Sequence, residues 1–502
     1  MASPTPSDIG TVVRTDTEMA GDGQLPQQAP MADNMTKIRY SNYINYKLSL
    51  RSLRRGNHPQ TAPMPDDVGH LAVPIDEQRC LLYMVPEQIC RTDREMHKPS
   101  YISIGPYHYQ GKGLHNRSQL WKAHCKQQVV EKLAEQGRRS EELEHMAREI
   151  GTDVKNYYGT KSFPCGEINS DEAFNEMMIT DGCFLLVTTL HDTISQSQSD
   201  NPQHPAAVHE QAVIPNQWDN LFRWHDVVRY ENQLPFHVVR EIFKLIHPNE
   251  DPLQKVGKVL ADSALIRYTR RKVTDPGNAN NVLHLCHKLL APTHPNRSAN
   301  GVVKTSRWRR ATEYRKLLVE FKKREIGSEG EAQCISDVKV VGGNVVEIPS
   351  FDLSPESCVL LRNLMLLENA NKHLGGHVTS YCNFISQLAC TGADVSLLTK
   401  TGIVVHSEAS DEAAARKLGN LCDQIIYDPT DDYLKSDWDK LEKHCRSPGL
   451  LVRAKVFGYK DWKNPLVWIG ALAAVALLVC AILQTMYTIK AYKDQTKHRG
   501  HK

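Results

Sequence analysis

The sequence predicts a mostly α-helical globular body with a minor β contribution, followed by one C-terminal transmembrane helix. Three observations predict it. Apolar residues recur at three- and four-residue spacing along most of the chain. Strand-like alternation is confined to short runs, and no internal repeat is visible. Leu466 to Leu483 reads LVWIGALAAVALLVCAIL, without a single charge.

That last segment sets the cellular context. Eighteen residues of helix span about 27 Å at 1.5 Å per residue, close to the roughly 30 Å hydrocarbon core of a bilayer. Gln484 to Tyr487 extend it into the headgroups, so the expected span is Leu466 to Tyr487. Trp468 and Tyr487 suit its two interfaces. The expected partner of this segment is the lipid bilayer. Five basic residues precede the span (Arg446, Arg453, Lys455, Lys460, Lys463) and five follow it (Lys490, Lys493, Lys497, Arg499, Lys502). Flanking charge therefore sets no orientation. The first residues, MASPTPSDIGTVVRTDTEMAGDG, hold no apolar core. The expectation is post-translational, tail-anchored insertion, with the body in the cytosol, residues 488–502 across the membrane, and the plasma membrane or endoplasmic reticulum as the site.

Composition sets bounds. The 502 residues are 40% hydrophobic and 24% charged, ordinary for a globular chain. A formal net charge of +3 predicts no nucleic-acid partner. Thirteen cysteines without a C-x-x-C pair read as reduced intracellular thiols rather than a disulfide framework. The N-glycosylation triplets at Asn34, Asn116 and Asn296 carry meaning only if the body is lumenal.

In chain order, Met1 to Asp67 is poor in large apolar residues and expected to be disordered. Within it, residues 37–55 carry Lys37, Arg39, Lys47, Arg51, Arg54 and Arg55 with no acid, interleaved with Tyr40, Tyr43 and Tyr46. This stretch reads as a solvated basic linker, with anionic headgroups as its best functional contact. The ordered body is expected over 71–450. Cys80 to Pro86 reads as a short extended segment closed by proline, and Pro99 to His108 alternates until Gly105-Pro106 turns the chain. Helical spacing follows in Leu120, Trp121, Val129, Val130 and Leu133, then in Leu143, Met146, Ile150 and Val154. Ser170 caps a third helix with Asp171 and Glu172 in its first turn. That helix runs into Cys183-Phe-Leu-Leu-Val187, apolar all round and hence buried.

Ser195 to Gln211 is polar and proline-punctuated, a surface loop; Asp275 to Asn281 and Pro292 to Gly301 are further loops. Trp218 to Ile246 resumes the helical period, broken at Pro235, and Trp308 to Phe321 reads as a basic amphipathic helix. Ser354 caps and Pro355 opens another helix. Its buried face is Leu360, Leu361, Leu364 and Leu367, with the stop at Gly375-Gly376. Short helices follow over Tyr381 to Leu388, Val395 to Leu398 and Ala413 to Leu421.

No enzyme motif is complete. Gly105 to Gly113 (GPYHYQGKG) has one residue too many for a phosphate loop and lacks its Ser or Thr. His284, Cys286 and His287 offer metal-ligand atoms, but no fourth ligand has recognisable spacing, so no metal or cofactor is expected. Glu231-Asn232-Gln233 precedes Leu234-Pro235-Phe236, and these side chains are expected to satisfy backbone groups that the proline break leaves free. Asp181-Gly182, before an apolar run, reads likewise as an N-cap or a buried polar anchor.

These segments carry a resemblance. In order they are Leu82-Tyr-Met-Val-Pro86, Ser103-Ile-Gly-Pro-Tyr-His108, Met177-Met-Ile-Thr-Asp-Gly-Cys-Phe184 and Glu231-Asn-Gln-Leu-Pro-Phe236. Ile348-Pro-Ser-Phe-Asp-Leu353 with Arg362-Asn363-Leu364, Tyr381-Cys-Asn-Phe384, Asp394-Val395 with Leu397-Leu398, and the terminal Gln484-Thr-Met-Tyr487 complete the set. Together, over about residues 75–490, they resemble the plant family called domain of unknown function 247, also grouped as UPF0481. Val187 departs from it, standing where the family places a glutamate. The resemblance implies a plant membrane protein with one C-terminal helix and no catalytic residues to carry over. Some grass members are implicated as pollen determinants of self-incompatibility, which implies recognition rather than catalysis.

The leading expectation is a membrane-anchored interaction protein with an unidentified protein partner, contacted through the loops 195–211 and 292–301 and the segment 308–321. The first alternative is an enzyme whose site is assembled from distant residues, with Glu231, Asp181 and His108 as candidates. A buried, perturbed carboxylate beside a His in a deep pocket would favour it. The second alternative is an outward-facing receptor, which requires used glycosylation triplets.

Overall fold

The computed structural model describes residues 81–109, 115–160, 162–189, 224–250, 252–262, 265–271, 279–293, 307–327, 331–447, 449 and 465–499. The segment 1–67 expected to be disordered, its basic stretch 37–55, the loop 195–211, residues 294–301 and the last residues of the tail lie outside them.

The body is mostly helical. After α1 (Glu87–His97), a first group comprises α2 (His115–Glu135), α3 (Glu141–Lys155), α4 (Asp171–Thr189), α5 (Phe236–Ile246) and α6 (Pro252–Asp262). The axial member is α4, packed by α2, α3, α5 and α6. Its sequence explains that position. Ser170 Oγ accepts the Ala173 amide at 3.2 Å and starts the helix. Phe174, Met177, Met178, Ile179 and the run Cys183 to Val187 are buried on every side. Removing each such large apolar side chain from water stabilises the fold by roughly 1.5–3 kcal/mol. Gly182 permits the close approach of α5: a Cβ there would stand 2.6 Å from Ile242 Cδ1 and 2.8 Å from Val238 Cγ1.

The second group is built on α9 (Pro355–Ala370), against which α7 (Val282–Leu289), α10 (His377–Leu388) and α1 pack. Ser354 accepts the Ser357 amide and Pro355 takes the first position. Helix α9 ends at Ala370, before the expected glycine stop. The Asn371 side chain closes it by donating to Leu367 O and Leu81 O and accepting from the Leu81 amide. A 3-10 turn, Lys372–Leu374, follows, and Gly375 at φ +81° redirects the chain into α10. Helices α11 (Gly392–Lys400), α12 (Asp411–Leu421) and α13 (Lys435–Cys445) complete the body.

The segment Trp308 to Phe321 is not one helix. Only α8 (Ala311–Lys316) is helical, Leu318 takes φ +61°, and β1 (Glu320–Arg324) begins two residues later. Strand β1 pairs in parallel with β3 (Val345–Pro349), which pairs antiparallel with β2 (Lys339–Val341). Phe321 and its register partner Val346 are both buried. Sheet pairing with a segment 25 residues onward thus overrides the local helical period. A second small sheet joins β4 (Phe351–Asp352) to β5 (Val404–Val405) in parallel.

Helix α14 runs from Pro465 to Arg499. Within it, Leu472–Tyr492 is long and apolar enough to cross a membrane and none of it is buried against protein. Its 21 residues span about 32 Å. Thr485 and Thr488 donate their hydroxyls to Ala481 O and Gln484 O one turn back, so these polar groups need no water.

Candidate functional site

The loop between α1 and α2 makes no helix or strand over Ser100 to Gly105, yet Ile102 to Tyr107 is buried. Buried backbone donors need partners, and side chains from α4 and from the segment before α5 supply them. Asp226 accepts the amides of Ser100, Tyr101 and Ile102 at 2.9, 2.6 and 2.8 Å. Asn232 Oδ1 accepts the Ile104 amide at 2.6 Å, while Nδ2 donates to Ile102 O and Asp226 O. Asp181 Oδ2 accepts the Gly105 amide at 2.8 Å.

The Glu231-Asn232-Gln233 triplet is shared among three directions. Glu231 Oε1 accepts the Val85 amide at 2.6 Å and Oε2 lies 2.8 Å from His108 Nε2. Gln233 Nε2 donates to Val227 O and Arg229 O, its Oε1 accepts the Leu283 amide, and its backbone oxygen accepts the Tyr158 hydroxyl. Pro235 is the cap residue of α5. Gly105 sits at φ +73°, and a Cβ there would be 2.6 Å from Gln233 O, so this turn admits only glycine without movement.

Asp181 and Lys122 form the charged centre, 2.5 Å apart; Lys122 also donates to Ser103 O. Burial pushes the Asp181 carboxyl above its ordinary value, opposed by Lys122 and the Gly105 amide. Burial likewise pushes up the phenols of Tyr107 and Tyr158. A cleft of about 580 Å³ reaches Asp181, lined also by Tyr109, Gln119, Lys126, Glu176 and Thr180. His108 and Glu231 do not line it.

The structure therefore gathers Asp181, Glu231, Asn232, Gln233 and His108 around this loop system, whereas Gly182, inside α4 rather than at a cap, packs against α5 and Pro235 caps α5. Sequence reading missed Lys122, Asp226, Tyr230 and Asn363. Lys122 left a signal: it stands in the buried stripe continued by Cys125, Val129 and Leu133, where an apolar residue fits the period. Asn363 accepts the Tyr230 amide and donates to Met96 O and Val359 O, tying the second helical group to this loop system. Val187 is buried, so no carboxylate enters α4 at that point.

The three candidate metal ligands close in sequence, His284, Cys286 and His287, do not converge. His284 Nδ1 accepts the Asn280 amide at 3.2 Å, and burial pushes the Cys286 thiol up to about 12. His287 instead faces Glu368 and His377 from α9 and α10.

The signature of the plant protein family of unknown function DUF247 matches residues 82–480. A UPF0481 protein of Arabidopsis thaliana is 20% identical over 455 residues, covering 85% of this chain and 89% of its own length. No solved structure matches. With the family signature running from Leu82, through the loop and the side chains that hold it, to Cys480 in the apolar helix, the chain belongs to the plant DUF247 family.

Proposed function

We propose that this is a membrane-anchored interaction protein, held by a single spanning helix, whose cytosolic helical body presents a recognition surface to a protein partner in signalling of the self/non-self kind. The observation that carries the anchoring is the helix Leu472–Tyr492, with its apolar side chains turned outward along its length. Exposed apolar surface on this scale is unfavourable in water and favourable in a bilayer. Thirteen cysteines without a C-x-x-C pair support a reducing compartment for the body. Interaction rather than catalysis is supported by the polar groups around Asp181 and Glu231, where one oxygen each of Asp181, Glu231 and Asn232 is spent on a backbone amide.

The anchoring test adds a glycosylation acceptor after Lys502 and follows extraction from plant membranes by carbonate and by detergent. The expected result is release by detergent alone, with modification of the added site only. Carbonate release would overturn the anchor; modification at Asn116 or Asn296 would place the body outside and favour a receptor. Recognition is tested by exchanging residues 195–211 and 292–301 for those of a family relative and comparing proximity-labelled neighbours. Neighbours that stay the same after both exchanges would overturn the assignment of these loops.

The His108–Glu231 pair favours a second reading, general acid–base catalysis, because a buried carboxylate there holds an imidazole that is 14% exposed. Its separation from the 580 Å³ cleft makes it the weaker reading.

A further inference from the structure

His287 on α7, Glu368 on α9 and His377 at the start of α10 bring one ligand atom each to within 4.8 Å of one another. We propose that these three residues bind a divalent transition metal, zinc in the first instance, which pins α7, α9 and α10 together and leaves one coordination position for water.

The hydrogen bonds fix the chemistry of each group. His377 Nε2 lies 3.1 Å from the His287 carbonyl oxygen. An oxygen there only accepts, so Nε2 carries the proton and Nδ1 is left with a bare lone pair. That lone pair faces Glu368 Oε1 at 3.8 Å. His287 Nε2 lies 2.8 Å from the same oxygen. Without a metal, that nitrogen donates its proton to the oxygen; a metal ion would take the proton's place among three ligand atoms, in a space closed to solvent at His287 and Glu368, which are 4% and 2% exposed.

A ring nitrogen held by a carbonyl while the other stays free is how a metal-binding histidine is oriented. The carboxylate is oriented in the same manner. Val378 N donates to Oε1, and Thr379 N and Oγ1 donate to Oε2. Two imidazoles and one carboxylate form a set that holds zinc with an open fourth position. Bond lengths near 2.1 Å in tetrahedral geometry imply ligand–ligand separations of about 3.4 Å, and the 2.8 and 3.8 Å observed bracket that value. The three ligand atoms all lie within 4.8 Å of one another, so shifts of up to about 1 Å close the site to tetrahedral spacing.

A hydrogen-bonded network without metal is the competing account. It pairs His287 with Glu368 but leaves His377 Nδ1, an acceptor, facing an acceptor. A cation held between the three ligand atoms satisfies that acceptor as well. Arg271 acts on His377 through charge, which opposes a cation and predicts moderate rather than extreme affinity.

The test uses the full chain in detergent micelles, stripped with a chelator and titrated with Zn²⁺ against a competing dye and with Co²⁺ by visible absorption. The expected result is one ion per chain, a rise in thermal midpoint with Zn²⁺, and a four-coordinate Co²⁺ band without thiolate charge transfer. Affinity should fall in His377→Gln and Glu368→Gln by more than the roughly 10–100-fold that loss of a second-shell partner costs. It should persist in His284→Gln, a neighbour that is not a ligand. No 1:1 binding by the native chain, thiolate charge transfer, or binding unchanged in His377→Gln would each overturn the proposal. The measurements on the native chain decide it even where a variant fails to fold.

Discussion

Lys122 Nζ lies 2.5 Å from Asp181 Oδ1, and neither side chain is more than 2% exposed. The pair joins α2 to α4, and its spare hydrogen-bonding capacity is spent on Ser103 O and the Gly105 amide. Breaking it by Asp181→Leu strands a buried ammonium, and Lys122→Met strands the carboxylate. Each should cost about 3–5 kcal/mol. The double variant Lys122→Met with Asp181→Leu should lie well above the sum of the single losses, because no uncompensated charge remains. A double-mutant cycle on thermal or urea unfolding of the body measures this; additive losses would mean the two groups act independently.

Glycine at 182 is a packing requirement, and the prediction is local. Gly182→Ala forces a methyl into Val238 Cγ1 and Ile242 Cδ1, and overpacking of this kind costs about 1–3 kcal/mol. Gly166→Ala meets no atom within 4 Å and should leave the unfolding midpoint unchanged. Equal effects at the two positions would show that the α4–α5 contact yields easily.

Legibility in the sequence followed the distance between cause and effect along the chain. The start of α4 could be read because Ser170 acts on an amide three residues away, and α9 because Ser354 and Pro355 do the same. The polar triplet before Pro235 could be read as a set of backbone partners, since three amide or carboxylate groups beside a proline break have few other uses. Which backbone they serve could not: Val85, Ile104 and Leu283 lie between 50 and 146 residues away. The same limit hid β1, whose strand conformation is set by β3, and it hid the approach of Glu368 and His377 to His287. The apolar terminal helix needed no partner at all, so its length alone announced it.

The cap at Ser354 offers a small, separable effect. Its side chain accepts the Ser357 amide, and Ser357 in turn bonds the Tyr268 hydroxyl at 2.7 Å. Ser354→Ala removes one acceptor from an α9 N-terminus and should cost about 1 kcal/mol; Ser354→Asp, which retains an acceptor and adds favourable charge, should cost less. Hydrogen exchange at the first turn of α9 resolves the two.

Alkaline stability follows from phenols that the fold holds neutral. Burial raises Tyr107, Tyr158, Tyr314, Tyr381 and Tyr433 above the ordinary value of 10. A raised folded value means that the unfolded chain releases its protons first. The stabilisation is therefore complete below pH 10 and is lost as pH climbs from 10 towards the folded values, by up to about 1.4 kcal/mol per pH unit for each buried phenol. The Cys286 and Cys334 thiols, raised from 9 to about 12, start the same loss one unit earlier. Surface tyrosines should ionise without structural change, whereas the tyrosinate absorbance of these five should appear together with loss of helical circular dichroism. Full tyrosinate absorbance with the helices intact would mean that water reaches the rings around Tyr158, and that the aromatic packing of Tyr107, Phe163 and Phe174 against it opens without unfolding.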